Sequence, residues 1–211
     1  GALMVDDYVG YKALFATGIT ELACWAHARR VFFDAHKASA SPLAEEALRR
    51  MGEFYAIAAT LRGLDDATRS IERKHRLGAW LAVFKHWLDA AQAQTLGNSG
   101  VRKAIEYTQR RWPALARVIE DDAYPIDNNP IENAIRPIAV GRKNWLFAGS
   151  ETAGQRAAAI MSLIATAKAN GIEPHAWLTD VLTRLPTTKD RDIATLLPLA
   201  DYRFTAQGEV G

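Results

Sequence analysis

The chain opens with the stretch Ala2–Trp25, ALMVDDYVGYKALFATGITELACW, which contains two segments whose pattern favours β-strands. The first, Ala2–Asp6, is a short apolar run that leads into a pair of acids, Asp6 and Asp7. A short helix-like segment follows. The second, Ile19–Trp25, combines β-branched and apolar residues after a glycine, which favours a second strand. We therefore expect a small strand-containing part at this end of the chain.

The residues from Ala26 to about Glu120 are mostly helical in pattern. Ser41–Pro42 is typical of a helix N-cap followed by a proline in the first turn. Apolar residues then recur every three or four positions through Leu43–Leu61, as on one face of an amphipathic helix. A second stripe with helical spacing is predicted to lie in the core, and it consists of Trp80, Phe84 and Trp87.

The remainder of the chain combines a turn-rich loop, two long helices and a weakly patterned end. Gly141–Ser150 is short and bounded by glycine, so we predict an extended or hairpin segment there. Thr152–Ala169 and Pro174–Leu185 are predicted as helices, the first ended by an Asn-Gly pair. Beyond Thr187 we expect a mostly extended tail.

Composition places the chain among ordinary globular proteins. Of its 211 residues, 49% are hydrophobic and 24% charged, and the formal net charge is +2, which is too small to indicate nucleic-acid binding by itself. A single cysteine, Cys24, excludes an intramolecular disulfide and a four-cysteine zinc site, and it suits a reducing cytoplasm. The most apolar run, Ala157–Ala167, is well short of the ~20 residues of a membrane span. We therefore expect a cytoplasmic protein without a membrane segment and, because a strand begins almost at Gly1, a fragment of a longer one.

The first candidate site is the acidic pair Asp6 and Asp7. A carboxylate at the carboxyl end of a buried strand is held in a fixed position by the sheet, as catalysis requires. The alternative is that the pair marks only the beginning of a turn.

The second candidate is Glu132, within Ile126–Pro137, IDNNPIENAIRP. Asn129 can cap a helix that begins at Pro130, and Glu132 then falls at the third helical position, where a capping-box carboxylate is common. The same position could present the carboxylate to a metal ion, so both interpretations remain open.

The third candidate is a basic segment within Gly141–Phe147. Phosphate-binding donors stand next to an aromatic ring there, a combination that nucleic-acid contacts often use; a solvated basic turn is the alternative. The residues concerned are Arg142, Lys143, Asn144 and Trp145. Cys24 and His27 have the spacing of half a zinc site, but no second Cys/His pair lies at a usable distance. Cys24 is therefore expected in the core, and His27 is expected to be hydrogen-bonded or near a functional cleft.

Four strings follow in order between Val5 and Pro186: VDDYVGY, CWAHARRVFFDA, IDNNPIENAIRPIAVGRKNWLFAGS and SLIATAKANGIEPHAWLTDVL. Together they resemble the catalytic region of bacterial insertion-sequence-66 family transposases. The resemblance implies a mainly α protein with a small α/β remnant, the C-terminal part of a ribonuclease H-like fold with an all-helical insertion. It divides the chain into ribonuclease H-like parts at 1–40 and 121–186, a helical insertion at 41–120 and a tail at 187–211.

The resemblance also assigns chemistry. Asp6 matches the second catalytic aspartate of the family and Glu132 the catalytic glutamate, and both would hold Mg²⁺ (or Mn²⁺); Asp7, which stands where the family usually has glycine, is a lesser alternative ligand. Two such ions can activate the attacking oxygen and stabilise the leaving oxygen of a phosphodiester. DNA, as transposon ends and target, is the implied partner, with homo-oligomers in the intact protein. Arg136, together with the basic segment, would contact that DNA.

The first catalytic aspartate of the family lies upstream of the matched region. We therefore expect this chain not to cleave DNA by itself. A non-catalytic module for DNA binding or transpososome assembly is the main alternative, and a helical scaffold without a DNA role is a weaker one.

Overall fold

The computed structural model describes residues 1–141, 143 and 149–205. They form two compact units, residues 1–137 and the residues from 138 onward, which we describe separately. Most of the described residues are helical, and the strands among them form one two-stranded sheet, so the mainly α architecture with a small α/β part is confirmed. No helix in these ranges combines the length and the apolar composition of a membrane span.

The sheet consists of β1 (Ala2–Val5) and β2 (Thr20–Ala23), which run parallel. A 3₁₀ turn at Val9–Tyr11 and the short helix α1 (Lys12–Phe15) connect them. In the register, Val5 lies opposite Ala23. The residues that follow the two strands, Asp6 and Cys24, therefore emerge at the same edge of the sheet.

Helices form the rest of the first unit, in the order α2 (Trp25–Ser39), α3 (Pro42–Leu61), α4 (Asp66–Glu72), α5 (Gly78–Ala93), α6 (Gly100–Arg110), α7 (Trp112–Ala116) and α8 (Asn129–Gly141), whose last four residues lie beyond the boundary at residue 137. The predicted cap of α3 is confirmed, because the Ser41 hydroxyl accepts the N–H of Ala44. A π-helical turn, Arg73–Leu77, joins α4 to α5, and the residues on either side of it, Glu72 and Gly78, both have helical backbone angles.

An aromatic cluster forms the core of this unit around Trp25, which has no exposed surface. The Trp25 ring centroid lies 4.7 Å from that of Phe54 and 5.4 Å from that of Trp80. Its indole N–H donates to the Leu115 carbonyl at 3.1 Å, so the one polar atom of this ring is satisfied. The predicted core stripe is confirmed for Trp80 and Phe84, which are buried, whereas Trp87 is half-buried against the cluster.

The second unit contains α9 (Glu151–Ala169) and α10 (Pro174–Arg184), close to the predicted bounds. The prediction of an extended tail beyond Thr187 is wrong, because Asp190–Leu196 forms a 3₁₀ helix. The Leu196 carbonyl accepts the indole N–H of Trp177 at 3.1 Å, a contact between residues 19 positions apart that no local pattern indicates.

The predicted extended or hairpin segment Gly141–Ser150 falls mostly outside the described residues. Gly141 is the last residue of α8 and Ser150 caps α9, where its hydroxyl accepts the Ala153 N–H. Residues 142 and 144–148 lie outside the description.

Candidate active site

The acidic pair after β1 divides into two different environments. The Asp6 side chain is exposed, and its carboxylate accepts the N–H of Tyr8 at 3.2 Å, which closes a turn. Asp7 has a positive φ of 84° and binds the guanidinium groups of Arg110 and Arg111 at 3.2 and 3.1 Å. Asp7 is thus committed to ion pairs, while Asp6 has none within the described part of the chain.

Arg111 links the end of β1 to β2. Its side chain is 7% exposed and donates to the carboxylates of Asp7 and Glu21 and, at 3.3 Å, to the Val5 carbonyl. Glu21 belongs to β2 and Val5 is the last residue of β1. One buried guanidinium therefore holds the backbone from which Asp6 projects.

The loop before α8 is bound to the end of β2. The Trp25 N–H donates to the Ile126 carbonyl at 3.0 Å, and the Cys24 thiol donates to the Asn128 side-chain carbonyl at 2.9 Å. We call this pair of contacts the Cys24–Asn128 latch. The Asn128 backbone carbonyl in turn accepts the Glu132 N–H at 3.0 Å. The latch therefore binds the loop before α8, and with it the first turn of that helix, to the residues that follow β2.

Burial raises the pKa of the Cys24 thiol, against the smaller opposing effect of the Asn128 N–H. A protonated thiol is the form that can donate to the Asn128 carbonyl. The prediction that Cys24 lies in the core is confirmed, with 2% of its surface exposed.

The start of α8 differs from the predicted capping box. The helix begins at Asn129, one residue early, and the Asp127 carboxylate accepts the Asn129 N–H at 3.1 Å. The Glu132 carboxylate, 46% exposed, instead lies 3.5 Å from His27 Nε2. The physical reason is that carbonyl and carboxylate groups of the preceding loop already satisfy the first N–H groups, which leaves Glu132 available for other partners.

His27 is the neighbour that the sequence analysis did not assign to Glu132. It lies in the first turn of α2, and its Nδ1 is buried without a hydrogen-bond partner among the described residues. The sequence left open whether His27 lies near the site. Arg111 carried no local signal, because its partner Asp7 is 104 positions away.

The site offers oxygen ligands but not a preformed cage. Within the described ranges no group of three or more His, Cys, Asp or Glu side chains could hold a metal ion. Asp6 and Glu132 are exposed carboxylates, which is the donor type that Mg²⁺ prefers, since it usually binds through one or two carboxylates and keeps water ligands.

The candidate DNA contacts are only partly described. Arg136 is exposed on α8, one turn beyond Glu132, and Lys143 is exposed. Arg142, Asn144 and Trp145 lie outside the described residues, so their predicted contacts stay predictions.

Comparisons with known proteins agree with the resemblance. A family model described as "Transposase IS66 family" matches residues 1–156, and one described as "IS66 C-terminal element" matches residues 162–199. No solved structure matches the chain.

Similar curated proteins come from Sinorhizobium fredii and Escherichia coli. The uncharacterized protein y4qI of S. fredii is 38% identical over 194 residues, 88% of this chain and 36% of the relative, and y4hP is 34% identical over 223 residues, 98% and 40%. The uncharacterized protein YjgZ of E. coli is 61% identical over 33 residues, 16% of this chain. The chain thus spans less than half the length of the S. fredii relatives. Because the family model covers most of the chain, this protein belongs to the IS66 family of transposases.

Proposed function

We propose that this chain carries two carboxylates with which a transposase cuts and joins DNA, Asp6 and Glu132. The observation that supports this most directly is the Cys24–Asn128 latch. It binds the loop that precedes the helix of Glu132 to Cys24, which follows β2 at the end of the sheet where Asp6 follows β1. Asp6 and Glu132 are separated by 126 positions in sequence, so a contact of this kind supports a shared site for them.

Asp6 and Glu132 are the residues that would hold Mg²⁺ or Mn²⁺. Such ions, when bound, stabilise the attacking and leaving oxygens of an in-line phosphodiester displacement. Asp6 is preferred to Asp7 because the carboxylate of Asp7 is already neutralised by Arg110 and Arg111.

Other residues of the chain position the carboxylates. Arg111 holds the end of β1, and His27 lies against Glu132 and can orient its carboxylate. Arg136, one turn along α8 from Glu132, would bind a DNA phosphate close to the reacting one. Arg142, Lys143, Asn144 and Trp145 would extend these DNA contacts.

The whole transposase would act on transposon ends and target DNA, as a homo-oligomer. In this proposal the two strands form part of a ribonuclease H-like sheet. Residues 41–120 are its helical insertion, residues 121–186 return to the sheet with Glu132, and residues 187–211 form the tail.

The test is transposition by a transposase that contains this chain. Asp6→Asn and Glu132→Gln should each reduce transposition to background while the DNA affinity of the purified protein stays unchanged, because each removes a charged oxygen ligand at nearly constant shape. Asp34→Asn is the matched control, since Asp34 is an exposed acid of α2 away from the strand ends.

If either variant transposes like the parent protein, its residue is not catalytic. If both do so, the chain is instead a module for DNA binding or assembly, the second class that the sequence allowed.

A further inference from the structure

A cleft of about 530 Å³ adjoins the first turn of α8 and has no role in the chemistry assigned to Asp6 and Glu132. It lies between the C-terminal half of α3 and the loop that leads into α8. Its polar lining is supplied by Tyr55, Arg62, Asp127, Asn129 and Asn133. Asn133 follows Glu132 in sequence, so the cleft adjoins the helical turn that carries Glu132.

Tyr55 gives this cleft a polar group without a well-formed hydrogen bond. The Tyr55 hydroxyl is buried and faces the Asp127 carboxylate, but it makes no hydrogen bond of normal geometry within the described ranges. Burial, with the nearby charge of Asp127, raises the pKa of Tyr55, so the hydroxyl stays protonated and can donate. Buried polar groups in folded proteins nearly always have a partner. A ligand that accepts a hydrogen bond in the cleft would supply one.

The polar groups around Tyr55 suit a nucleobase better than a phosphate. The Asp127 carboxylate would repel a phosphate, but it can accept a hydrogen bond from an exocyclic amino group. The amide side chains of Asn129 and Asn133 can donate and accept at a base edge. The Ile126 side chain adds an apolar wall to the cleft.

Arg62 supplies the place for a phosphate. It is exposed at the end of α3, and its guanidinium makes no hydrogen bond or ion pair to any described residue. A second cleft of about 330 Å³ shares Arg62 with the first and also contains Arg69 and Arg73. These two arginines are committed to Asp122, at 2.6 and 3.6 Å. Arg62 is therefore the guanidinium of the two clefts that remains available to a ligand.

We propose that this cleft binds one unpaired nucleotide of the DNA strand, with its base between Tyr55 and Asn133 and its phosphate on Arg62. A base inside a stacked duplex is paired along the edge that these groups would contact, so it must leave the stack to enter. The inference rests on the proposed function, and it adds that the DNA next to the reacting phosphate is locally unpaired when bound.

The experiment measures the affinity of the 211-residue chain for two fluorescent DNA probes, a short duplex and the same duplex with one unpaired nucleotide. The parent chain should prefer the second probe by on the order of tenfold, as expected for one held base. Tyr55→Phe keeps the ring and its packing but should reduce that preference by about fivefold, the effect of one hydrogen bond. Arg62→Ala should lower the salt dependence of binding to the second probe by about one unit. Lys103→Ala, which removes an exposed cation of α6, should preserve the preference.

Equal binding of the two probes by the parent chain would overturn the proposal, and so would a preference that survives both Tyr55→Phe and Arg62→Ala. Neither result would affect the assignment of Asp6 and Glu132, which is tested separately by transposition of Asp6→Asn and Glu132→Gln.

Discussion

Replacing Arg111 with methionine should destabilise the first unit far more than the same replacement of its neighbour Arg110. Both guanidinium groups bind Asp7, at 3.1 and 3.2 Å, but the Arg111 side chain is 7% exposed and that of Arg110 is 64% exposed. Methionine keeps most of the aliphatic volume of arginine, so the comparison isolates the buried charge and its hydrogen bonds.

The magnitude follows from what Arg111 leaves behind. Its removal breaks charge-assisted hydrogen bonds to Asp7 and Glu21 and leaves the Val5 carbonyl without this donor. Removing one partner of a buried ion pair costs about 3–5 kcal/mol. The two carboxylates are about one quarter exposed and can regain some water, so we expect a loss of about 2–4 kcal/mol for Arg111→Met. For the exposed Arg110 we expect less than about 1 kcal/mol.

Urea unfolding followed by tryptophan fluorescence measures both values. Four of the six tryptophans, at positions 25, 80, 87 and 112, lie in the first unit and report its unfolding. The free energies should be compared by linear extrapolation. Equal losses for Arg111→Met and Arg110→Met would refute the argument that Arg111 holds the end of β1 to β2.

Three further predictions concern the latch, the core and the second unit. Asn128→Ala should increase the rate at which a thiol reagent labels Cys24 in the native protein, because the thiol loses its acceptor at the end of β2; an unchanged rate would show that the latch does not protect it. Met51→Ala should lower the free energy of unfolding by about 2–5 kcal/mol, since Met51 is fully buried. Chemical denaturation measures this loss, and a smaller loss would show that neighbouring side chains fill the space that the methionine leaves. Burial opposes ionisation of Asp180, but hydrogen bonds from Thr205, Tyr202 and Arg184 outweigh it and lower its pKa to about 2. Its contribution to stability is therefore complete above its ordinary pKa of 3.8 and lost as the pH falls towards 2; thermal unfolding at decreasing pH should show this loss in the parent chain and a smaller one in Asp180→Asn.

Much of the local structure was predictable because short-range spacing encodes it. The serine cap of α3, the aromatic stripe of α5 and the Asn-Gly end of α9 each depend on residues within one or two helical turns. The position of Asp6 after a strand was predictable for the same reason. The start of α8 was displaced by one residue, because Asp127 competes for the N–H groups that a capping glutamate would have bound.

In the second unit, the local sequence pattern was not enough to predict the structure. The residues after Thr187 have no clear periodicity, and their structure depends on contacts to α10. Tyr202 is buried, and its hydroxyl donates to Asp180 at 2.5 Å. A segment whose sequence has no clear periodicity can therefore be ordered when another helix supplies hydrogen-bond partners for it.

The sequence by itself determined the family, the helical character, the two short strands and the two carboxylates that could carry chemistry. Only the tertiary structure decided which acid of the Asp6–Asp7 pair is free of ion pairs among the described residues. That depends on Arg111, which binds Asp7 from 104 positions away. It also decided that Glu132 lies against His27 and that its loop is bound to the end of β2 through Cys24. The physical reason is that periodicity and caps report interactions along one helix or strand, whereas ion pairs and buried hydrogen bonds depend on how the folded chain brings distant segments together.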